Sequence, residues 1–491
     1  MLPHYHLPPR HRTAGTINPD FSPDQVGAWL AKLPLAAADQ AAEKLSRFLN
    51  AFSRIDLPAQ HRSQLAGLLK TSAWHLIERL EGELAAHSPP WPAKPYRWLN
   101  LSQALLGELA NSQKLLVLGS LHQHDLAQAA PRLTDLVETL GRQLSIAYRS
   151  HTPAPAGLWH ELHQSYWCAA QQGMTEPSAK PAWARMVEHY KSLLLLAMAD
   201  PYQFTARELE WARALAEAIA PATRLAPAGK GKTAMAPFHV DPLADEPPQA
   251  LARTETATAV GLLFDTSAAA RQLALLGNAI KNRRTTAGMP LPAEPEWPIY
   301  LALLNKLKLR WGASKHRLVQ RRKPQQESRY EIGLGLHGLC QLVGQTGNGT
   351  VFHGSTLNDS AGGLALKCLG PLPDHIGVGE VVGLRQQPGG PWQTGLVRWF
   401  KQSREDELLF GLQLLGGQAQ AVQLSDQETG PAQCGLLLQA AGNRPAHLVL
   451  AKGIGRAGLP LKLKSAAGEQ TVTPTQLTEA ANGSEVFRLE G

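Results

Sequence analysis

Two groups of residues in this 491-residue chain have the types and spacing of a binding site. The first is a run of arginines, Arg317, Arg321, Arg322 and Arg329, within RLVQRRKPQQESR. A guanidinium is permanently charged and presents a planar fork of donors. That fork matches phosphate oxygens and the O6/N7 edge of guanine, and it stacks on flat rings. The second group is Asn358-x-Ser360-x-x-Gly363, within NDSAGGLAL. Asn and Ser in a turn can cap backbone groups or reach a ligand, and Gly permits backbone conformations that other residues avoid. An arginine-bearing lead-in beside a turn rich in backbone N–H groups forms a clamp for an anionic, guanine-bearing ligand.

The charge distribution points to the same place. The chain carries a formal net charge of +8. Residues 304–329 hold nine Lys and Arg and one acid, Glu327, so this window alone accounts for the excess. Such a patch attracts phosphate, whether on a small nucleotide or on a polymer. It lacks the interleaved aromatics on which single-strand binders stack bases, which ranks a nucleic-acid polymer last among partners.

The elements that must position these residues are short strands. YEIGLGLHGLCQLV reads as a strand, NDSAGGLAL as a tight turn after a second strand, and VVGLR, WQTGLVRW and LLFGLQLL as the strands that follow. In this order the motifs over residues 313–425 resemble the PilZ domain family, bacterial receptors for cyclic di-GMP. That family carries an Arg-x-x-x-Arg motif before its first strand and an Asp/Asn-x-Ser-x-x-Gly motif after its second. Asn358, Ser360 and Gly363 match the latter. Arg-x-x-x-Arg spacing occurs at Arg317 and Arg321, while Arg329 stands immediately before the first strand with Gln325 four residues upstream. The resemblance implies a PilZ-like antiparallel β-barrel with Arg317, Arg321 and Arg322 as its arm. It further implies that Arg329, Asn358, Ser360 and Gly363 complete the site, and that cyclic di-GMP is the ligand.

The rest of the chain gives the expected fold class, α+β multidomain. Residues 1–20 are rich in Pro and His and read as a disordered tail, with His4, His6 and His11 not forming a metal site. Residues 21–225 have helical periodicity, with helices expected near 39–54, 58–86, 99–112, 125–149, 157–173, 181–199 and 205–220. LWHELHQSYWCAAQQG resembles the first helix of a tetratricopeptide repeat, but no 34-residue period is present, so a bundle of helical pairs is the plainer reading. Repeats would supply a groove for a protein partner. His160 and His163 fall on an exposed helix face in this reading. Residues 226–256 read as a flexible linker, and APAGKGKT at 226–233 is a Walker-A lookalike without the flanking strand and helix that a P-loop needs. Residues 257–312 read as a small α/β module, with Asp265 and Ser267 capping its first helix. Residues 430–491 read as a C-terminal β extension, either lengthening the barrel or packing beside it.

Several classes are set aside by the same reading. MLPHYHLPPRHR has no apolar core of a secretory signal, and the longest apolar run, LLLLAMA, is too short to span a bilayer. The four cysteines are widely spaced with no CxxC, which predicts buried thiols at Cys340 and Cys368, no zinc and a cytoplasmic location. Arg398 either faces the ligand or bridges the sheet. No catalytic constellation is present, so the expected function is a receptor that needs no cofactor and is not an enzyme. The arm would fold over the nucleotide and reorient the helical domain. The alternative is a scaffold that binds no nucleotide and acts through protein contacts of the helical domain.

Overall fold

The apolar periodicity of the first half closes into helices, and that of the second half into strands. The computed structural model describes residues 2–9, 22–175, 181–228, 238–251, 261–284, 288–312, 328–346, 349–360, 362–424, 433–440, 445–481 and 483–489. The chain divides into two units. One comprises Met1–His87, Ala93–Pro201 and Ala206–His316; the other comprises Ser88–Pro92, Tyr202–Thr205 and Arg317–Gly491.

The first unit begins with eight helices: α1 (Pro23–Leu30), α2 (Ala38–Arg54), α3 (Ala59–Leu84), α4 (Ala93–His122), α5 (Leu126–Arg149), α6 (Leu158–Gln171), α7 (Pro181–Met198) and α8 (Ala206–Ile219). Ser22 starts α1 by accepting from the Gln25 N–H, and Asp125 does the same for α5 from Gln128. Helix α4 runs ten residues past the boundary expected at Asn111-Ser112. Leu105, Leu106, Leu109, Leu116 and Val117 stay buried on one stripe through that point, so packing against α3 and α5 overrides the local break signal.

Two stretches expected to be unstructured are built into this unit. Residues 2–9 lie along α6: the His4 N–H donates to Gln164 Oε1 at 3.0 Å, and Tyr5 Oη meets Ser165 Oγ at 3.0 Å. Of the three tail histidines, His11 lies outside the described residues. The presumed linker contributes β1 (Arg224–Pro227), β2 (Phe238–Val240) and β3 (Gln249–Ala250). With β4 (Leu262–Asp265) they form a sheet of order β1-β4-β2-β3. Buried Phe238 and Val240 flank half-exposed His239, so a period-2 pattern was present in a segment too short to announce a strand. The Walker-A lookalike therefore starts on strand β1, and its residues 229–233 lie outside the described residues.

These segments also bury α6. Asp245 accepts from the N–H groups of Gly157 and Trp159, at the start of the helix. His163, expected on an exposed face, is 1% exposed. Its Nε2–H donates to the Glu246 carbonyl at 2.8 Å, and its Nδ1 accepts from Tyr190 Oη–H at 2.7 Å. Burial pushes its pKa down to about 4. Glu161, between the two histidines, is buried in an ion pair with Lys114. The unit ends with α9 (Ser267–Lys281), whose start is capped by Asp265 accepting from Ser267 N–H, and α10 (Trp297–Gly312).

The second unit contains β5 (Arg329–Leu334), α11 (Leu336–Gly344), β6 (Val351–Ser360), β7 (Gly363–Leu369), β8 (Val381–Arg385), β9 (Gln393–Arg404) and β10 (Glu407–Leu424). They are followed by β11 (Gln433–Leu438), β12 (His447–Ala451), β13 (Leu461–Ser465), β14 (Gly468–Val472), β15 (Pro474–Ala481) and β16 (Ser484–Leu489). Strand β10 pairs with β7, then β6, β5, β8 and β9 follow, and β9 pairs back onto β10, closing an antiparallel barrel. Ile332, Phe352, Leu366, Leu384, Phe400 and Phe410 fill it. The 18-residue β10 then leaves the barrel. Its last six residues, Ala419 to Leu424, pair with β11, and the end of β10 also pairs with β13, so the C-terminal strands continue the barrel's own sheet.

YEIGLGLHGLCQLV is not one strand. Gly335, at φ +71, ends β5, and α11 follows. Leu336, Leu339, Cys340 and Val343 also fit helical spacing, and α11 buries Leu339 and Cys340 among Val381, Leu396 and Leu436. Cys340 is not a free thiol: it is bonded to Cys434, 94 residues later, tying α11 to β11. Cys368 is a buried thiol on β7, as expected, and burial pushes its pKa up to about 11. Two loops from the helical half belong to this unit. Trp91 N–H donates to Gln402 Oε1 at 2.6 Å while Gln402 Nε2 returns a bond to Trp91 O at 3.2 Å. Tyr202 lies under Lys401, whose ammonium is 4.6 Å from the ring centroid. Among the described residues no helix is long and apolar enough to cross a membrane.

Candidate functional site

The Asn-x-Ser-x-x-Gly motif spans the hairpin between β6 and β7. A bulge between Thr356 and Asn358 shifts the register so that Asn358 opposes Ala365 and Ser360 opposes Gly363. Asn358 and Ser360 therefore stand on the end of a strand rather than in the turn itself. Ser360 Oγ–H donates to Gly363 O at 3.3 Å and fixes the hairpin tip.

Gly363 is needed for a reason other than the one expected. Its φ does not fall in the left-handed region; instead, a Cβ there would lie 2.4 Å from Leu412 O on β10. The motif glycine lets β7 approach β10 closely. Gly411 has a similar role, since a Cβ on it would lie 1.9 Å from Trp399 Nε1. Gly411 pairs with Trp399 across β9 and β10, so the indole lies against a backbone with no side chain in its way.

These features make one cleft of about 360 Å³, lined by Asn358, Ser360, Gly363, Arg398, Trp399 and Gln203 among others. Its wall combines a cation, an aromatic ring, and short side chains that donate and accept. Arg398 Nε donates to Gln413 Oε1 at 2.8 Å, and its Nη1 donates to Glu479 Oε2 at 3.1 Å, with Nη2 on the other carboxylate oxygen. Arg398 thus has the strand-bridging role weighed for it, and it also borders the cleft. Lys401, three residues further on β9, is partly buried, which lowers its pKa.

The arginine group is only partly placed. Arg329 opens β5 opposite Ser355 and is exposed, but it is not among the walls of the cleft. Arg317, Arg321 and Arg322 lie outside the described residues. Gln203, Leu364, Ala365, Trp399, Gly411 and Leu412 also line the cleft and were not singled out as site residues from sequence. Trp399 and Gly411 do leave a trace, a large residue and a glycine on consecutive strands. Gln203 leaves none, since it is 155 residues from Asn358 and lies in the loop between α7 and α8.

Comparison with known proteins agrees with this architecture. Residues 24–228 match the family described as the N-terminal domain of the cyclic-di-GMP receptor FimW. Residues 342–421 match its middle PilZ domain, a span that holds β6 to most of β10 and the Asn358 hairpin but not the arginine arm. The cyclic-di-GMP receptor FimW of Pseudomonas aeruginosa is 24% identical over 514 aligned positions, covering 88% of this chain and 81% of that protein. The two family matches take in the helical unit up to β1 and the barrel strands from β6 to most of β10 with the motif hairpin, leaving out β5, and together they cover more than half of the chain. With its helical N-terminal domain and the motif-bearing strands of its barrel both matched, the chain belongs to the PilZ-domain family of cyclic-di-GMP receptors.

Proposed function

We propose that this protein is a receptor for cyclic di-GMP that binds the dinucleotide at the Asn358 hairpin. One observation carries the reading: Asn358, Ser360 and Gly363 share a single cleft with a guanidinium, Arg398, and an indole, Trp399. A cyclic dinucleotide offers two phosphates and two flat bases. Arg398 supplies charge, Trp399 a stacking face, and Asn358 and Ser360 directional hydrogen bonds. The arm residues Arg317, Arg321 and Arg322, with Arg329 at the mouth of β5, add the positive charge that two phosphates require. The arm joins α10 to β5, so its engagement on the ligand is the route by which binding acts on the helical unit and reorients it. A ligand shifts such an equilibrium only by its difference in affinity for the two states.

Calorimetric titration of the full chain with cyclic di-GMP tests the reading. Binding by the wild type should be lost in an Asn358→Ala, Ser360→Ala double variant and in an Arg321→Ala, Arg322→Ala double variant. Full affinity in the hairpin variant would remove the site from the cleft. Full affinity in the arginine variant would leave the hairpin in place and withdraw the arm.

A further inference from the structure

The loop between α7 and α8 does not belong to the helices it connects. After α7 the chain reverses at Asp200, which adopts φ +62, and makes one 3-10 turn at Pro201–Gln203. Tyr202–Thr205 then pack with the barrel unit. The residues around Gln203 are anchored there: the Tyr202 ring holds the Lys401 ammonium, and Phe204 is 1% exposed. Gln203 is only half-buried and forms a wall of the cleft that holds Asn358, Ser360 and Gly363.

We propose that Gln203 is a ligand-contacting residue of this site, reading a base edge of the bound dinucleotide. The proposal rests on the nucleotide reading of the cleft given above. A carboxamide is neutral and offers both donor and acceptor groups. The Watson–Crick edge of guanine likewise offers an acceptor, O6, beside a donor, N1–H. Phosphates are better served by Arg398 and the arm, whose charges a carboxamide lacks. Gln203 lies five residues after the end of α7 and three before the start of α8. A contact made by its side chain is therefore passed to both helices through the backbone, without any intervening surface.

Full-length wild type, Gln203→Ala, Gln203→Glu and Asn358→Ala are titrated with cyclic di-GMP and with cyclic di-AMP, after thermal unfolding confirms that each is folded. Gln203→Ala should weaken cyclic di-GMP binding by about tenfold, the usual scale for a hydrogen bond lost from a buried base edge, and narrow the preference over cyclic di-AMP. Gln203→Glu should weaken it further, because it replaces a donor facing O6 with an acceptor. Amide exchange across 201–205 should slow on adding ligand to the wild type and not in Gln203→Ala. If both Gln203 variants bind as the wild type does while Asn358→Ala does not, the role of Gln203 is overturned and the site stands. If the wild type itself binds neither dinucleotide, the nucleotide reading falls and this proposal with it.

Discussion

The guanidinium of Arg398 on β9 grips the carboxylate of Glu479 on β15 with both terminal nitrogens, the Nη1 contact being 3.1 Å. A residue of the C-terminal extension thereby holds a residue of the candidate nucleotide cleft. Each side chain is about one-third exposed, so the pair adds little to stability, on the order of 1 kcal/mol or less. Its larger effect is on the charge that Arg398 presents. Glu479→Gln should leave the fold intact and tighten cyclic di-GMP binding a few-fold, because a carboxylate no longer offsets the guanidinium. Arg398→Ala should weaken binding, most visibly at low salt. Calorimetry at two ionic strengths checks both. A Glu479→Gln variant as weak as Arg398→Ala would mean that Glu479 aims the arginine rather than competing for it.

The glycines of the cleft give a prediction about shape rather than charge. A Cβ on Gly363 would meet Leu412 O at 2.4 Å, and backbone cannot move aside as a flexible side chain can. Gly363→Ala should therefore cost roughly 1–3 kcal/mol, the scale of overpacking, and abolish ligand binding. Gly411→Ala should displace the Trp399 indole, giving a smaller loss of stability and a changed tryptophan emission. Gly362, adjacent in the same hairpin, has nothing within 4 Å of its would-be Cβ, so Gly362→Ala is the control that should change neither. Thermal unfolding of the three variants suffices, and equal midpoints for Gly362→Ala and Gly363→Ala would refute the argument.

Acid should destabilise the helical unit through His163. Its pKa falls from 6.5 to about 4 in the folded protein because the ring is buried in its neutral form. Between those values the unfolded chain binds more protons than the folded one, so stability falls as pH drops from about 6.5 and levels off below about 4. The full effect is on the order of 3 kcal/mol. His189 and His447 are shifted downward by burial as well and act with the same sign. The midpoint of thermal unfolding followed from pH 7.5 to 4.5 should show a shallower slope in His163→Gln than in the wild type. Parallel slopes would assign the acid sensitivity to other groups.

Features carried by neighbouring residues were legible in the sequence. Asn358, Ser360 and Gly363 lie within six positions, so one hairpin brings them together whatever the rest of the chain does. The helices from α2 to α8 followed from apolar spacing, and the strands of the barrel from alternation and Gly-rich turns. Local signals misled where two periods fitted the same residues. The run through Leu336, Leu339, Cys340 and Val343 suits a strand or a helix, and the positive φ at Gly335 together with burial of one face decided for α11.

Partnerships across long stretches of chain were decided only by the tertiary structure. Cys340 meets Cys434 and Arg398 meets Glu479 because β10 runs on from the barrel into the C-terminal strands. Residues 2–9 and 238–250 looked too polar and Pro-rich to fold, yet α6 offers them Gln164, Ser165 and His163 as hydrogen-bonding partners. Gln203 enters the cleft only because its loop packs with the barrel unit. Periodicity records which face of an element is apolar; it does not record which distant element covers that face, and that choice placed these residues.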